Sequence, residues 1–571
     1  MKHPLLLTLI CLLPIISGNV VSQTTNRKPA EVRILNADSW ENRYPGMRSD
    51  GSRFLGNVML SHEDVLMQCD SAHRYANDNI VHAFGNVRIN QGDTLRLYGE
   101  HLVYYGNRRF AEVRRNVILM DNETTLTTGH LDFDLENEVG YYPNHGVVIN
   151  GDNRLESLQG YYYTNEKLFF FKDQVVVTNP DYIIRSDTLR YNTVTEVVYF
   201  MGPTTIIGDD TDIYCENGWY NTISDIAQFN ENARVRNNNQ YLMADSLYYD
   251  NGQGFGEAFT DVEVTDTVEN IIIRGNYAWF NREPEHMLVT ERALLIQMSD
   301  NDTLYMHADT LRSWLEITPL EVIPEKTPGE QQQESDSLTA GLADSGIQTN
   351  EFQPEETADS LSVDTHVADT LNIFATEELY EGGDTVRIMV AYYGVKFFSN
   401  EMQGKCDSVY FNMRDSIVYM FGEPVVWSDD SQLSAEFMEI HSRDGAVDNI
   451  VMTNSAFVVS EEDEGLYNQI KGREILGIFR NEELYRVNVT GNAETLYYLV
   501  DDDEIIGVNK AVGASLAIFM KDSKPDRVRL LSHAEATLYP LEDLTGEERF
   551  LQNFIWLDHL RPKIWEDVFK R

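Results

Sequence analysis

The chain has 571 residues, a formal net charge of −47 and a pI near 4.5. That charge leaves no basic footprint for nucleic acid and argues against it as a partner. Hydrophobic residues make up 42%, aromatics 11%, and there are 30 tyrosines, enough for a core and biased towards strands.

Residues 1–22 read as a secretory signal peptide. A short basic start, Met1-Lys2-His3, precedes an apolar run from Leu5 to Ile16 and the small residues of Val20-Val21-Ser22. The run is shorter than the roughly 18 apolar residues of a membrane-spanning helix, and no later run reaches that length. The mature chain is therefore expected outside the cytoplasm with no transmembrane segment. Cys11 lies inside the apolar run behind Ile10, which is not the small residue a lipidation site wants. Residues 23–52 are expected to form an N-terminal extension.

A repeat then begins. Gly56-Asn57-Val58, Gly85-Asn86-Val87, Arg115-Asn116-Val117 and Gly146-Val147-Val148 recur in step. They continue at Asp173-Gln174-Val175, Gly202-Pro203-Thr204, Glu231-Asn232-Ala233, Thr260-Asp261-Val262 and Glu291-Arg292-Ala293, with a period of about 29 residues. These read as openers of repeat units. Between them falls a second motif with an acidic residue at its centre. It appears as Gly99-Glu100-His101-Leu102-Val103-Tyr104, Ser186-Asp187-Thr188-Leu189-Arg190-Tyr191 and Ala244-Asp245-Ser246-Leu247-Tyr248-Tyr249, and more weakly at Cys215-Glu216.

Columns of apolar residues flank the acid. Three positions before it stand Leu97, Ile184, Ile213, Leu242 and Ile273; two positions after it stand Leu102, Leu189 and Leu247. Side chains alternate faces along a strand, and the step between these columns is odd, so a bend or bulge at the acidic position is needed to put both on one face. Each unit should hold about two strands joined by polar turns such as Asn90-Gln91-Gly92-Asp93. One unit cannot bury its apolar face alone, but a stack of units can. Residues 53–316 are thus expected to form an all-β repeat domain.

Of the 4 cysteines, Cys69, Cys215 and Cys406 lie beyond the leader, each directly before an acidic residue. Gly99, Ser186, Ala244 and Ala308 share that column, so cysteine serves there as a small structural residue.

From Thr327 to Val386 there is no Lys or Arg, and Glu330 to Asp369 is rich in Glu, Asp, Ser, Thr and Gln. Residues 317–386 therefore read as an acidic disordered insertion or linker. The motif resumes at Lys405-Cys406-Asp407-Ser408 within a second repeat domain, 387–540. Two arrays flanking a linker and one array interrupted by an insertion both fit this pattern. Residues 541–571 crowd Phe550, Phe554, Trp556 and Trp565 and read as a C-terminal segment that caps the final open edge or docks a partner.

The sequence carries no HExxH, P-loop, GxSxG or paired CxxC, and no cofactor is expected. Gly252-Gln253-Gly254-Phe255-Gly256 reads as a turn rather than a nucleotide loop, since no helix follows it. Asp501-Asp502-Asp503-Glu504 reads as a solvated turn rather than a calcium site. An acid repeated in many units is a structural rule, whereas a catalytic pair is unique, so the chain reads as a non-enzyme.

The periodic set, at its clearest in Gly85-Asn86-Val87, Ala244-Asp245-Ser246-Leu247-Tyr248-Tyr249 and His307-Ala308-Asp309-Thr310-Leu311, resembles the OstA-like family. That is the lipopolysaccharide-transport group containing the periplasmic bridge protein LptA and the N-terminal domain of LptD. The resemblance spans roughly residues 53–316 and 387–500. It implies an elongated, open, V-shaped β-jellyroll in the periplasm that holds lipid A acyl chains in an apolar groove. It also implies end-to-end β-augmentation with other transport proteins. Leu97, Leu102, Ile184, Leu189, Ile213, Leu242, Leu247 and Ile273 are the expected groove residues. The competing readings are a structural or adhesive repeat protein with a filled core, and a polysaccharide-processing β-helix enzyme, which would need a unique carboxylate cluster.

Overall fold

A computed structural model describes residues 30–319 and 383–570, apart from short stretches at 43–45, 93, 210, 283, 300–301, 413, 444–445, 481–482, 502–503, 522–523 and 545. The expected signal peptide and most of the acidic insertion lie outside the described residues. The described chain is antiparallel strand from end to end, with short 3₁₀ turns and no α-helix. It divides into two compact units, up to Gly146 and from Val147 onwards.

In the first unit each strand pairs with its chain neighbours. Gly51–His62, Val65–Tyr75, Ile80–Gln91, Leu95–Tyr105, Phe110–Asp121 and Thr124–Asp134 form a meander. Arg33–Asn36 and Ser39–Asn42 together form the first edge, against Gly51–His62.

The second unit continues in the same way from Leu168–Thr178 to Thr303–Pro319. Thr303–Pro319 then pairs directly with Gly383–Phe398, from Tyr305↔Phe398 to Pro319↔Gly383. The ladder is therefore continuous across the point where residues 320–382 intervene. It runs on through Met402–Asn412, Ala446–Asp463, Leu466–Arg480 and Glu483–Asp501 to Glu504–Lys521.

Gly146-Val147-Val148 begins the strand Gly146–Asn150, whereas the other motifs from Gly56 to Ala293 lie in the middle of strands. Gly85 and Asn86 lie inside Ile80–Gln91, and both take left-handed backbone, with φ of +71° and +44°. The pairs Arg115-Asn116, Asp173-Gln174, Glu231-Asn232, Thr260-Asp261 and Glu291-Arg292 do the same. At each pair the register jumps. Leu55 faces Ser71 and Val58 faces Cys69, so Gly56 and Asn57 stand opposite Asp70 alone. The required bulge is present, but its extra residue is on the Gly-Asn strand and not at the acid.

The acid holds that corner in place. Asp70 accepts a hydrogen bond from the Asn86 side-chain amide at 2.9 Å, and Glu216 accepts one from Asn232 at 2.9 Å. A Cβ on Gly85 would lie 2.3 Å from Asp70 Oδ2. Left-handed backbone costs an ordinary L-residue about 1–2 kcal/mol, a cost that glycine escapes and asparagine largely avoids. Asn86→Ala is therefore expected to lower stability by about 1–2 kcal/mol, read as a lower urea midpoint, through the strained corner and the lost amide. Asp70→Ala in the same background should add little if the two act as one device. Additive losses would show that they do not.

Candidate functional site: the inward apolar rows

The corner reverses the alternation on the acidic strands, so both legs turn an apolar face inwards. In the first unit, Leu97 on one leg and Leu102 on the other are 1% and 0% exposed. Leu97 lies between Ile89 and Leu119, and Leu102 between Ala83 and Val113.

The second unit repeats this over a longer distance. One row runs Val177, Ile184, Ile206, Ile213, Val235, Leu242, Val264, Ile273 and Leu295, one residue per strand. The other row carries Leu189 between Phe171 and Phe200, and Leu247 between Phe229 and Ala258. Ile184, Leu189, Ile213, Leu242, Leu247 and Ile273 are all buried. The structure thus places all eight expected residues on inward rows, two in the first unit and six in the second.

The sequence reading missed half of each row. It took columns only from the acidic strands. The Gly-Asn strands supply the alternate members: Phe171, Phe200 and Phe229 lie three residues before the second residue of their corner pairs, and Val177, Ile206 and Val235 lie three after. That symmetry about the corner was present in the repeat. Aromatic rings reinforce the rows: Tyr162 stacks on Phe169 at 4.0 Å, Phe200 on Phe229 at 6.2 Å and Tyr249 on Phe280 at 6.0 Å.

Burial also governs the polar groups of these rows. Cys69, Cys215 and Cys406 are free and buried, and desolvation pushes each thiol up to about 12. Tyr191 and Tyr249 are likewise pushed up to about 12, chiefly by burial. The thiols are therefore expected to resist iodoacetamide at pH 8 until the protein is denatured. Rapid alkylation of the native protein would contradict their place in the core.

The acidic column serves the corners and is not gathered into a cluster. Among the described residues no group of His, Cys, Asp and Glu is arranged to hold a metal ion, and no helix is long and apolar enough to cross a membrane. Gly252 and Gly254 lie in a tight turn, as expected, while Gly256 is inside the strand Phe255–Asp266. The acidic run at 501–504 falls at the hairpin between Glu483–Asp501 and Glu504–Lys521, with residues 502–503 outside the described residues.

Antiparallel strands that repeat one corner and line an apolar interior within each unit define a β-jellyroll repeat protein. Residues 30–187 and 183–245 match the family model described as OstA-like protein. Among solved structures the chain is similar to LptH of Pseudomonas aeruginosa, described as the LptA-homologous periplasmic component of the lipopolysaccharide transport device. The identity is 12%, over 24% of this chain and 95% of that one, with a TM-score of 0.20, a likeness too slight to carry an argument. No curated protein matches the chain.

Proposed function

We propose that the chain is a periplasmic lipopolysaccharide-binding transport protein whose inward rows hold acyl chains. One observation carries this reading: continuous apolar rows, one side chain per strand, within and beyond the OstA-like span. Acyl chains gain about 0.8 kcal/mol for each CH₂ that such a surface buries. Transfer along the ladder then needs no covalent chemistry.

The rows are not equally closed. Leu242 is 1% exposed, so an acyl chain reaching it must displace its present neighbours. Further along, the same row passes through Phe397, Gly404 and Val426 to Leu433, Val458 and Ile470. The last three are only partly buried. An acyl chain could lie there without repacking.

End-to-end assembly with other transport proteins would use the outermost strands. At one end Ser39–Asn42 is exposed throughout, with Trp40 63% exposed. Strand addition there needs only the free backbone of an edge.

The tight burial of the eight expected residues favours a second reading, a structural repeat protein with a filled core. Photo-crosslinking separates the two. A photoreactive residue at Leu242 or Ile470, with the outward, exposed Met243 as control, would be introduced in cells making lipopolysaccharide. A lipopolysaccharide adduct at Ile470 or Leu242 but not at Met243 is the expected result. Absence of any adduct at Ile470, Leu242, Ile184 and Leu102 would leave the filled core as the answer.

A further inference from the structure

The last thirty residues do not end over the final edge of the ladder. They begin there, with Leu544 buried against Leu496, Tyr498 and Val508, and then run back across the second unit. Their path follows one cross-strand row on the outward face. Facing residues in adjacent strands trace it from Lys510 through Leu496, Gln469, Val459 and Gln432 to Gln403. It continues through Phe398, Tyr305 and Ile296.

Outward positions of a ladder normally meet water. Here Gln403, Gln432 and Gln469 are 4%, 1% and 1% exposed. A buried primary amide needs partners for its donors and its acceptor. Gln403 donates to the Ser399 and Asn400 carbonyls of its own turn and Gln469 also to the Tyr467 carbonyl, while the C-terminal segment supplies the other partners. Gln469 donates to the Arg549 carbonyl at 2.9 Å and accepts from the Leu551 amide at 2.7 Å. Gln432 donates to the Ile555 carbonyl at 2.8 Å and accepts from the Leu557 amide at 2.7 Å. Each glutamine thus clasps the carbonyl of one residue and the N–H two residues on, as a neighbouring strand would. Gln403 accepts from Arg561 Nε at 2.7 Å, and Arg561 also donates to the Asp429 carbonyl at 2.8 Å.

Apolar anchors mark the far end. Val568 is 1% exposed among Leu294 and Ile296. Trp565 stacks on Tyr305 at 5.2 Å, Phe569 meets the His307 ring at 4.7 Å, and the Arg292 guanidinium lies 5.0 Å from the Phe569 ring centre. Leu294 and Ile296 alternate with the inward Ala293 and Leu295, so this pocket is on the outward face, separate from the acyl rows.

We infer that this outward row is a peptide-binding track, and that its resident ligand is the chain's own residues 546–570. Backbone clasped by glutamine amides, with anchors at one end, is the recognition logic of a linear peptide site and not of a packed core layer. The ligand class is a linear peptide that offers a carbonyl and an N–H two residues apart twice, followed by a Trp-x-x-Val-Phe anchor in a 3₁₀ turn, which Trp565, Val568 and Phe569 supply here.

The test starts from the full folded chain with a specific protease site placed at Thr545. After cutting, the fragment 546–571 should stay bound through gel filtration. It should exchange with a fluorescent synthetic peptide of the same sequence. Gln432→Ala with Gln469→Ala should weaken that peptide by roughly tenfold or more. If those variants fail to fold, Trp565→Ala in the synthetic peptide alone should weaken binding to the unaltered track by a similar factor. Collapse of the β-sheet circular dichroism on cutting would make the segment an integral layer and overturn the inference. So would loss of the fragment with no rebinding of the peptide at tens of micromolar.

Discussion

Gly256→Val should be among the most damaging single substitutions in the second unit, lowering stability by about 3 kcal/mol or more. Gly256 faces Tyr249 on one side and Phe280 on the other, and those two rings stack at 6.0 Å across it. A Cβ at this position would stand 1.9 Å from the Phe280 ring. The ring is 6% exposed and walled in by its neighbours, so it cannot swing into solvent. Phe280→Ala alone should cost about 3–5 kcal/mol through the cavity it leaves. Combined, the two changes should cost clearly less than their sum, because the valine occupies part of that cavity. Urea unfolding of the four proteins provides the measurement. Strict additivity would mean that the glycine and the ring do not share one space.

Raising the pH should unfold the protein in a single step between about 9 and 12, and its buried phenols should ionise only as the fold is lost. The sign follows from the shifts. Cys69, Cys215 and Cys406 sit near 12 in the folded chain against a reference of 9.0, and Tyr191 and Tyr249 near 12 against 10.0. Tyr104, Tyr182 and Tyr220 are raised further, first of all by burial. The folded state thus holds protons that the unfolded state has released. Stability is complete below the unfolded values and is lost as pH climbs through the folded ones. Absorbance at 295 nm should show the exposed tyrosines ionising first, then a sharp rise coincident with loss of circular dichroism. A smooth tyrosine titration centred near 10 with the fold intact would contradict the burial of these rows.

The inward rows were legible in the sequence for a simple reason. Leu97, Leu102, Leu242 and Leu247 recur at fixed offsets from an acidic residue, and a strand has only two faces. The odd step between the columns even called for a bulge. Its location was only partly legible: the columns put it at the acidic residue, whereas the extra residue lies on the facing strand, at pairs such as Gly85-Asn86. Only the pairing of Phe84 with His101 and of Val87 with Gly99, on either side of Glu100, reveals this. The anchoring of the C-terminal segment was beyond reach for a different reason. Gln469, Gln432 and Gln403 meet partners 80, 123 and 158 residues away, and nothing periodic links them. The crowding of Phe554, Trp556 and Trp565 showed that something would be covered, but not which face.

Hairpin pairing between chain neighbours makes a ladder that tolerates change in its length: one more hairpin needs no rethreading of the rest. The glutamine row sets a limit on that freedom. Gln469, Gln432 and Gln403 meet Arg549 and Leu551, Ile555 and Leu557, and Arg561 in order, and the pocket for Val568 lies beyond them. The segment therefore acts as a molecular ruler. A hairpin gained or lost between Gln403 and Gln469 would throw every later mark out of step, so here the number of rungs is counted by the chain itself.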